Sequence, residues 1–103
     1  MPLNKQQIKQ LRGLAHHLNP VAMVGQHGLR ESVLEEIELA LECHELIKVK
    51  VAAGDRKERD TLIQEILQHT QAELVQRIGN MAILFKRNPE KKGESRFSAY
   101  PLF

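Results

Sequence analysis

The chain has no Trp, a single Cys and only 4% aromatic residues across 103 positions. Few rings are on hand to stack on nucleobases, which argues against the recognition-motif sheet that reads RNA through aromatic side chains. The core must rest on Leu, Ile and Val. Cys43 has no second thiol, so an internal disulfide and a cysteine-based metal pattern are both excluded. It reads as a reduced helix residue. No apolar run approaches the roughly 20 residues of a membrane span, and the N-terminus lacks the charged and apolar blocks of a signal peptide. A cytoplasmic protein with no membrane partner is expected.

What is present suffices for one modest core, at 42% hydrophobic residues. The net charge is +2, but its distribution matters more than its sum. Asn4 is a good helix cap, and Ile8, Leu11, Ala15 and Leu18 recur at helical spacing, predicting a first helix that ends before Pro20. Lys5, Lys9, Arg12 and His16 follow the same period on an adjacent arc that lacks acids. Val21 to Val24 reads as a short buried strand. A second helix is predicted from about Leu29 to His44, with Val33, Leu34, Ile37, Ala40 and Leu41 on its apolar face. Glu31, Glu35, Glu38, Glu42 and Glu45 lie opposite, a solvated face that would also repel nucleic acid. His44 falls on the apolar arc, where a hydrogen-bonded structural histidine is expected.

From Leu46 to Ala52, alternation puts Ile47, Val49 and Val51 on one side of a strand and Lys48 and Lys50 on the other. Gly54-Asp55 supplies a turn and a cap for a third helix, Arg56 to Thr70, and Gly79-Asn80 splits two further strands, Glu73 to Ile78 and Met81 to Arg87. The predicted class is α/β: a two-layer domain with a mixed four-stranded sheet, ordered helix, strand, helix, strand, helix, strand, strand, the first helix being an addition. Residues 1–88 form the one domain, and 89–103 are expected to be an extended or flexible tail.

Between the first strand and the second helix stands Gly25-Gln26-His27-Gly28. Two glycines at a strand-to-helix handover let backbone amides and a helix N-terminus face an anion together. The pattern is neither a dinucleotide fingerprint nor a nucleoside-triphosphate loop, since the defining Gly-x-Gly-x-x-Gly and Gly-Lys-Ser/Thr are missing. A short loop of this kind clamps a nucleic-acid backbone in KH domains. The same residues would serve equally as a tight turn whose glycines only supply unusual dihedrals. Basic residues elsewhere, Lys48, Lys50, Arg56, Lys57, Lys86 and Arg87, would extend a phosphate track if they lie beside the loop.

Enzyme readings fare poorly. The five histidines form no zinc pattern, Ser32, Ser95 and Ser98 sit in no nucleophile elbow, and the paired carboxylates of the second helix define no pocket. No cofactor and no metal are expected.

Four segments together are more specific than the glycines. Leu14-Ala15-His16-His17-Leu18-Asn19-Pro20, Val24-Gly25-Gln26-His27-Gly28-Leu29, Val33-Leu34-Glu35-Glu36-Ile37 and His44-Glu45-Leu46-Ile47-Lys48-Val49-Lys50 resemble the CRM domain, for chloroplast RNA splicing and ribosome maturation. The closest likeness is to its stand-alone bacterial YhbY-type form, over roughly residues 4–88. The resemblance implies a fold related to the C-terminal domain of translation initiation factor 3 and a KH-like RNA-contacting loop at Gly25, Gln26, His27 and Gly28. It also implies association with large-subunit ribosomal precursors. Family members commonly end the last strand in aliphatic-Tyr-Arg. Leu84-Phe85-Lys86 stands there in this chain, without the tyrosine hydroxyl and with Arg87 displaced by one.

The expected function is a non-catalytic RNA-binding factor, a monomer, that docks on ribosomal RNA during large-subunit assembly. Its site would comprise the loop, Arg30 at the start of the second helix, and Lys5, Lys9, Arg12, His16, Lys48 and Lys50. With few aromatics, it would read RNA shape more than sequence. The alternative is a protein-interaction adaptor on the ribosome or its assembly factors, working through the acidic helix.

Overall fold

A computed structural model describes residues 3–25, 28–52 and 54–87. The expected tail, 89–103, and the loop residues Gln26 and His27 lie outside the described residues. Helix α1, Lys5–Ala15, opens on a reciprocal cap: Gln7 N–H donates to Asn4 Oδ1 at 2.8 Å, and Asn4 N–H donates to Gln7 Oε1 at 3.0 Å. It ends short of the expected boundary near Pro20. His17 and Leu18 N–H donate three residues back, to Leu14 and Ala15, and the extended backbone favoured before a proline then carries the chain away. Leu18 still packs under the helix.

Strand β1, Ala22–Val24, leads to helix α2, Glu31–His44, and strand β2, Leu46–Val51. Helix α3, Arg56–Thr70, follows, capped by Asp55, whose Oδ1 accepts from Glu58 N–H at 2.9 Å. Strands β3, Glu73–Ile78, and β4, Met81–Phe85, form the closing hairpin. The strands lie in the order β1-β2-β4-β3. The α2 crossover makes β1 and β2 parallel neighbours, while β4 pairs antiparallel with both β2 and β3. Strands β2 and β3, joined through α3, are therefore one strand apart.

Both faces of this sheet are covered, by different helices. On one face, Val24, Ile47, Val49, Val51, Ala82 and Leu84 meet Ile37 and Leu41 of α2 and Ile63 and Ile66 of α3. On the other, Leu11 and Ala15 of α1 bury Leu46, Val75, Ile83 and Phe85. The two-layer core is thus α2 and α3 on the sheet, and the additional helix closes part of the opposite face. Arg77 of β3 pairs with Asp60 of α3, tying the edge strand to the first layer.

Two side chains depart from the sequence reading at the α2–β2 corner. Glu45 is fully buried rather than on the acidic solvent face: it caps α2 with φ 64°, its N–H donates to Leu41 O, and its carbonyl accepts from Lys86 N–H. His44, expected on the apolar arc, is exposed. Glu45, at φ 64° and ψ −43°, has left the helical conformation, so its side chain no longer follows the periodicity of α2, whereas His44 is the last residue of the helix.

Candidate nucleic-acid interface

Gly25 and Gly28 close on each other, with Gly28 N–H donating to Gly25 O at 3.1 Å. Gly28 sits at φ +78°, a conformation that side chains with a Cβ rarely adopt, and beyond the adjoining residues no heavy atom lies within 4 Å of where a Cβ would stand on either glycine. The glycines therefore serve both readings: one is required by the turn, and both leave open space in front of the backbone. Arg30 follows as the N-cap of α2, exposed and extended at φ −90°, ψ 156°, and its side chain makes no capping bond. The first-turn amides thus receive no acceptor from their cap, unlike those of α1 and α3. An anion at that position would meet oriented N–H groups and the positive end of the helix dipole.

Backbone pairing gathers other loops around this turn. Ala52 N–H donates to Val24 O at 2.9 Å, and Val51 N–H donates to Asn80 O at 2.6 Å. The loop after β1, the start of α3 and the β3–β4 turn therefore share one end of the sheet. Arg56 and Lys57, both exposed, open α3 there. Sequence spacing gave them no special place, because the parallel register of β1 against β2 is what puts the α3 start at the same end of the sheet as the glycines.

Lys48 and Lys50 alternate with the buried Ile47, Val49 and Val51, so they share the sheet face of Leu46, the face that carries α1. Both are half-buried, and Lys50 stands opposite Met23, one residue before the end of β1. Lys5, Lys9, Arg12 and His16 are exposed along one edge of α1, and together with Ile8 and Gly13 they line an open groove. The helix begins next to β3, where Leu3 N–H donates to Glu73 Oε2 at 2.9 Å, and its chain returns to the sheet at Val21, whose N–H donates to Lys48 O. Hence α1 crosses the sheet from β3 towards β1. The lysines of β2 and the α1 edge occupy one face, and the glycine turn lies at the rim of the sheet beyond Lys50.

The acidic residues Glu31, Glu35, Glu38 and Glu42 are exposed on α2, with the exposed Leu39 among them. Helix α2 packs on the other face of the sheet. Among the described residues, no group of three or more His, Cys, Asp or Glu is placed to hold a metal ion, and no helix is long and apolar enough to cross a membrane.

Comparison with known proteins places this architecture. The profile of the CRS1/YhbY (CRM) domain matches residues 3–86. The chain belongs to the CRM domain family. A Haemophilus influenzae protein named as an RNA-binding protein is 51% identical over 90 residues, 87% of this chain and 91% of that protein. A Pseudomonas aeruginosa protein named as a probable RNA-binding protein is 46% identical over 90 residues, 87% of this chain and 86% of that one. The solution structure of a hypothetical Staphylococcus aureus protein, described as a candidate RNA binder, superposes with a TM-score of 0.76 at 34% identity, covering 88% of this chain and 95% of that one. The CRM fold thus accounts for the mixed four-stranded sheet and for all three helices.

Proposed function

We propose that this CRM protein is an RNA-binding factor that acts without catalysis on ribosomal RNA of large-subunit precursors. The observation that carries the RNA reading is a charge boundary. Residues 1–30 contain no Asp or Glu, whereas Glu31 opens an acidic helix. The acid-free segment comprises α1, β1 and the glycine turn, and α1 shares its sheet face with Lys48 and Lys50. Nearly all β-α-β units, of which β1, α2 and β2 form one, cross over with a right hand. With that hand, a right-handed helix crossing the opposite face from β3 to β1 would turn its Lys5, Lys9 and Arg12 edge towards Lys50 and the glycine turn. A phosphate backbone laid along this track meets cations first and oriented amides at the end. The acidic α2 repels it from the other face.

The names of the Haemophilus and Pseudomonas relatives support RNA as the partner class, and the family's association with ribosome maturation supports the choice of RNA. Crosslinking in cells followed by sequencing of the bound RNA tests both. Recovery of a defined stretch of large-subunit precursor is the expected result, and scattered messenger or transfer RNA would overturn the ribosomal assignment.

One observation favours a protein-adaptor reading instead. Leu39 is 61% exposed within the acidic face of α2, the chemistry of a contact for a basic partner. Charge reversal at Glu35 and Glu42 that abolishes ribosome association, with RNA affinity unchanged, would establish that reading over the first.

A further inference from the structure

Helix α1 covers only part of its sheet face. Its apolar cluster takes in Leu46, Val75, Ile83 and Phe85, at the end where β2 begins and β4 stops. At the other end, a continuous cross-strand row stands outside that cluster: Ile78 opposite Met81, Met81 opposite Lys50, and Lys50 opposite Met23. Met23 is 58% exposed and Ile78 46% exposed, two of the three exposed large hydrophobics among the described residues. The row is apolar at three positions of four, with a lysine at its centre and Lys48 two residues behind on the same face.

We infer that this end of the sheet, which α1 leaves clear, binds unpaired nucleotides, with bases lying on the exposed Met23 and the half-buried Met81 and with Lys48 and Lys50 taking the adjoining phosphates. The inference rests on the RNA-binding reading and sharpens it from RNA in general to single-stranded segments. A duplex keeps its base faces stacked inside, so an apolar surface row offers it nothing, whereas splayed bases need such a platform. Methionine suits the task in a chain short of rings, because its polarisable thioether contacts aromatic faces and adapts to their shape. Strand spacing puts Met23 and Met81 two strands apart, roughly 9–10 Å, with Lys50 between them. Both lysines are half-buried, which suits side chains whose apolar stems lie along such neighbours while the ammonium groups stay in water. Charge favours RNA over an apolar peptide, since Met23, Lys48, Lys50, Ile78 and Met81 include two cations and no acid.

The test compares two probes, a short unstructured oligoribonucleotide and a fully paired RNA duplex, by fluorescence anisotropy on the full chain. Met23→Ser with Met81→Ser should weaken binding of the unstructured probe roughly tenfold, the loss of about one stacked base, and leave duplex affinity unchanged. Thermal unfolding is followed alongside. Should the double variant lose its fold, Met23→Ser alone, at an exposed position, carries the same comparison with a severalfold loss expected. Unchanged affinity for the unstructured probe, or equal losses on both probes, overturns the platform. A wild-type chain that binds the duplex alone also overturns it while leaving RNA binding intact. A wild-type chain that binds neither probe overturns the RNA-binding reading itself.

Discussion

The Ala52 amide donates to the Val24 carbonyl at 2.9 Å, and this bond holds the loop after β2 against the loop after β1. Because of it, the chain leaves the same end of the sheet towards Arg56 and Lys57 at the α3 start and towards the glycine turn, although the two segments are far apart in sequence. The candidate anion-binding backbone and the cationic side chains of β2 are thereby carried by paired strands. The arrangement separates what the turn needs for folding from what it offers to a ligand.

Gly28→Ala should cost about 1–2 kcal/mol, the penalty of a Cβ at φ +78°, with no steric clash added. Gly25→Ala, which carries no such conformational demand, should be close to neutral. A domain of ordinary stability, roughly 5–15 kcal/mol, remains folded after either change. Urea denaturation gives the two costs. Gly25→Asp and Gly28→Asp should in addition reduce RNA affinity well beyond the alanine variants, through a carboxylate set before the amides. Equal affinity for the Asp and Ala variants would reduce the segment to a structural turn.

Lys9→Glu with Arg12→Glu should weaken RNA binding across unrelated sequences. If each side chain neutralises one phosphate, removing both lowers the slope of log affinity against log salt by about 1.4–1.8. Both residues are exposed on α1, so the melting temperature should move little. A salt titration of wild type and variant measures the difference, and an unchanged slope takes α1 out of the interface.

Gly13 is exposed within α1, and nothing lies within 4 Å of an added Cβ. Gly13→Ala should therefore stabilise the protein by about 1 kcal/mol, the helix-propensity difference between the two residues. The gain reads as an upward shift in the denaturation midpoint. Because Gly13 lines the groove beside Lys9 and Arg12, Gly13→Leu should retain stability and lower RNA affinity if the groove is used.

The helices were legible because their signals are local. Asn4 and Asp55 are caps whose acceptors serve residues three positions on, and α3 matches its sequence-derived bounds. The alternation of Ile47, Val49 and Val51 with Lys48 and Lys50 likewise predicted which side chains of β2 are buried and which emerge. Strand order was less accessible. The placement of β4 between β2 and β3 depends on pairing Leu46 with Phe85, a contact no short window contains. Burial of Glu45 depends on a corner at positive φ that breaks helical periodicity. The exposure of Met23 was hidden for a similar reason: three residues of β1 are too few to show alternation, and α1 stops short of covering them. Of the candidate site, the glycines and the basic α1 edge could be read from spacing, whereas the shared sheet end of the glycine turn and the α3 start required the parallel register.

Arg30→Asp separates stability from binding most sharply. Arg30 already has the extended backbone of an N-cap, φ −90° and ψ 156°, but its side chain satisfies none of the first-turn amides. Aspartate there supplies the missing acceptor and places a negative charge at the positive end of α2, together worth about 1–2 kcal/mol. The variant should therefore resist urea better than wild type. The same carboxylate occupies the position proposed for a phosphate and removes a cation, so RNA affinity should fall at least tenfold. Arg30→Ser, an uncharged cap, should gain less stability and lose less affinity. Stability and affinity moving in opposite directions across Arg, Ser and Asp would mark the α2 start as an anion site, whereas unchanged affinity in both variants would exclude it.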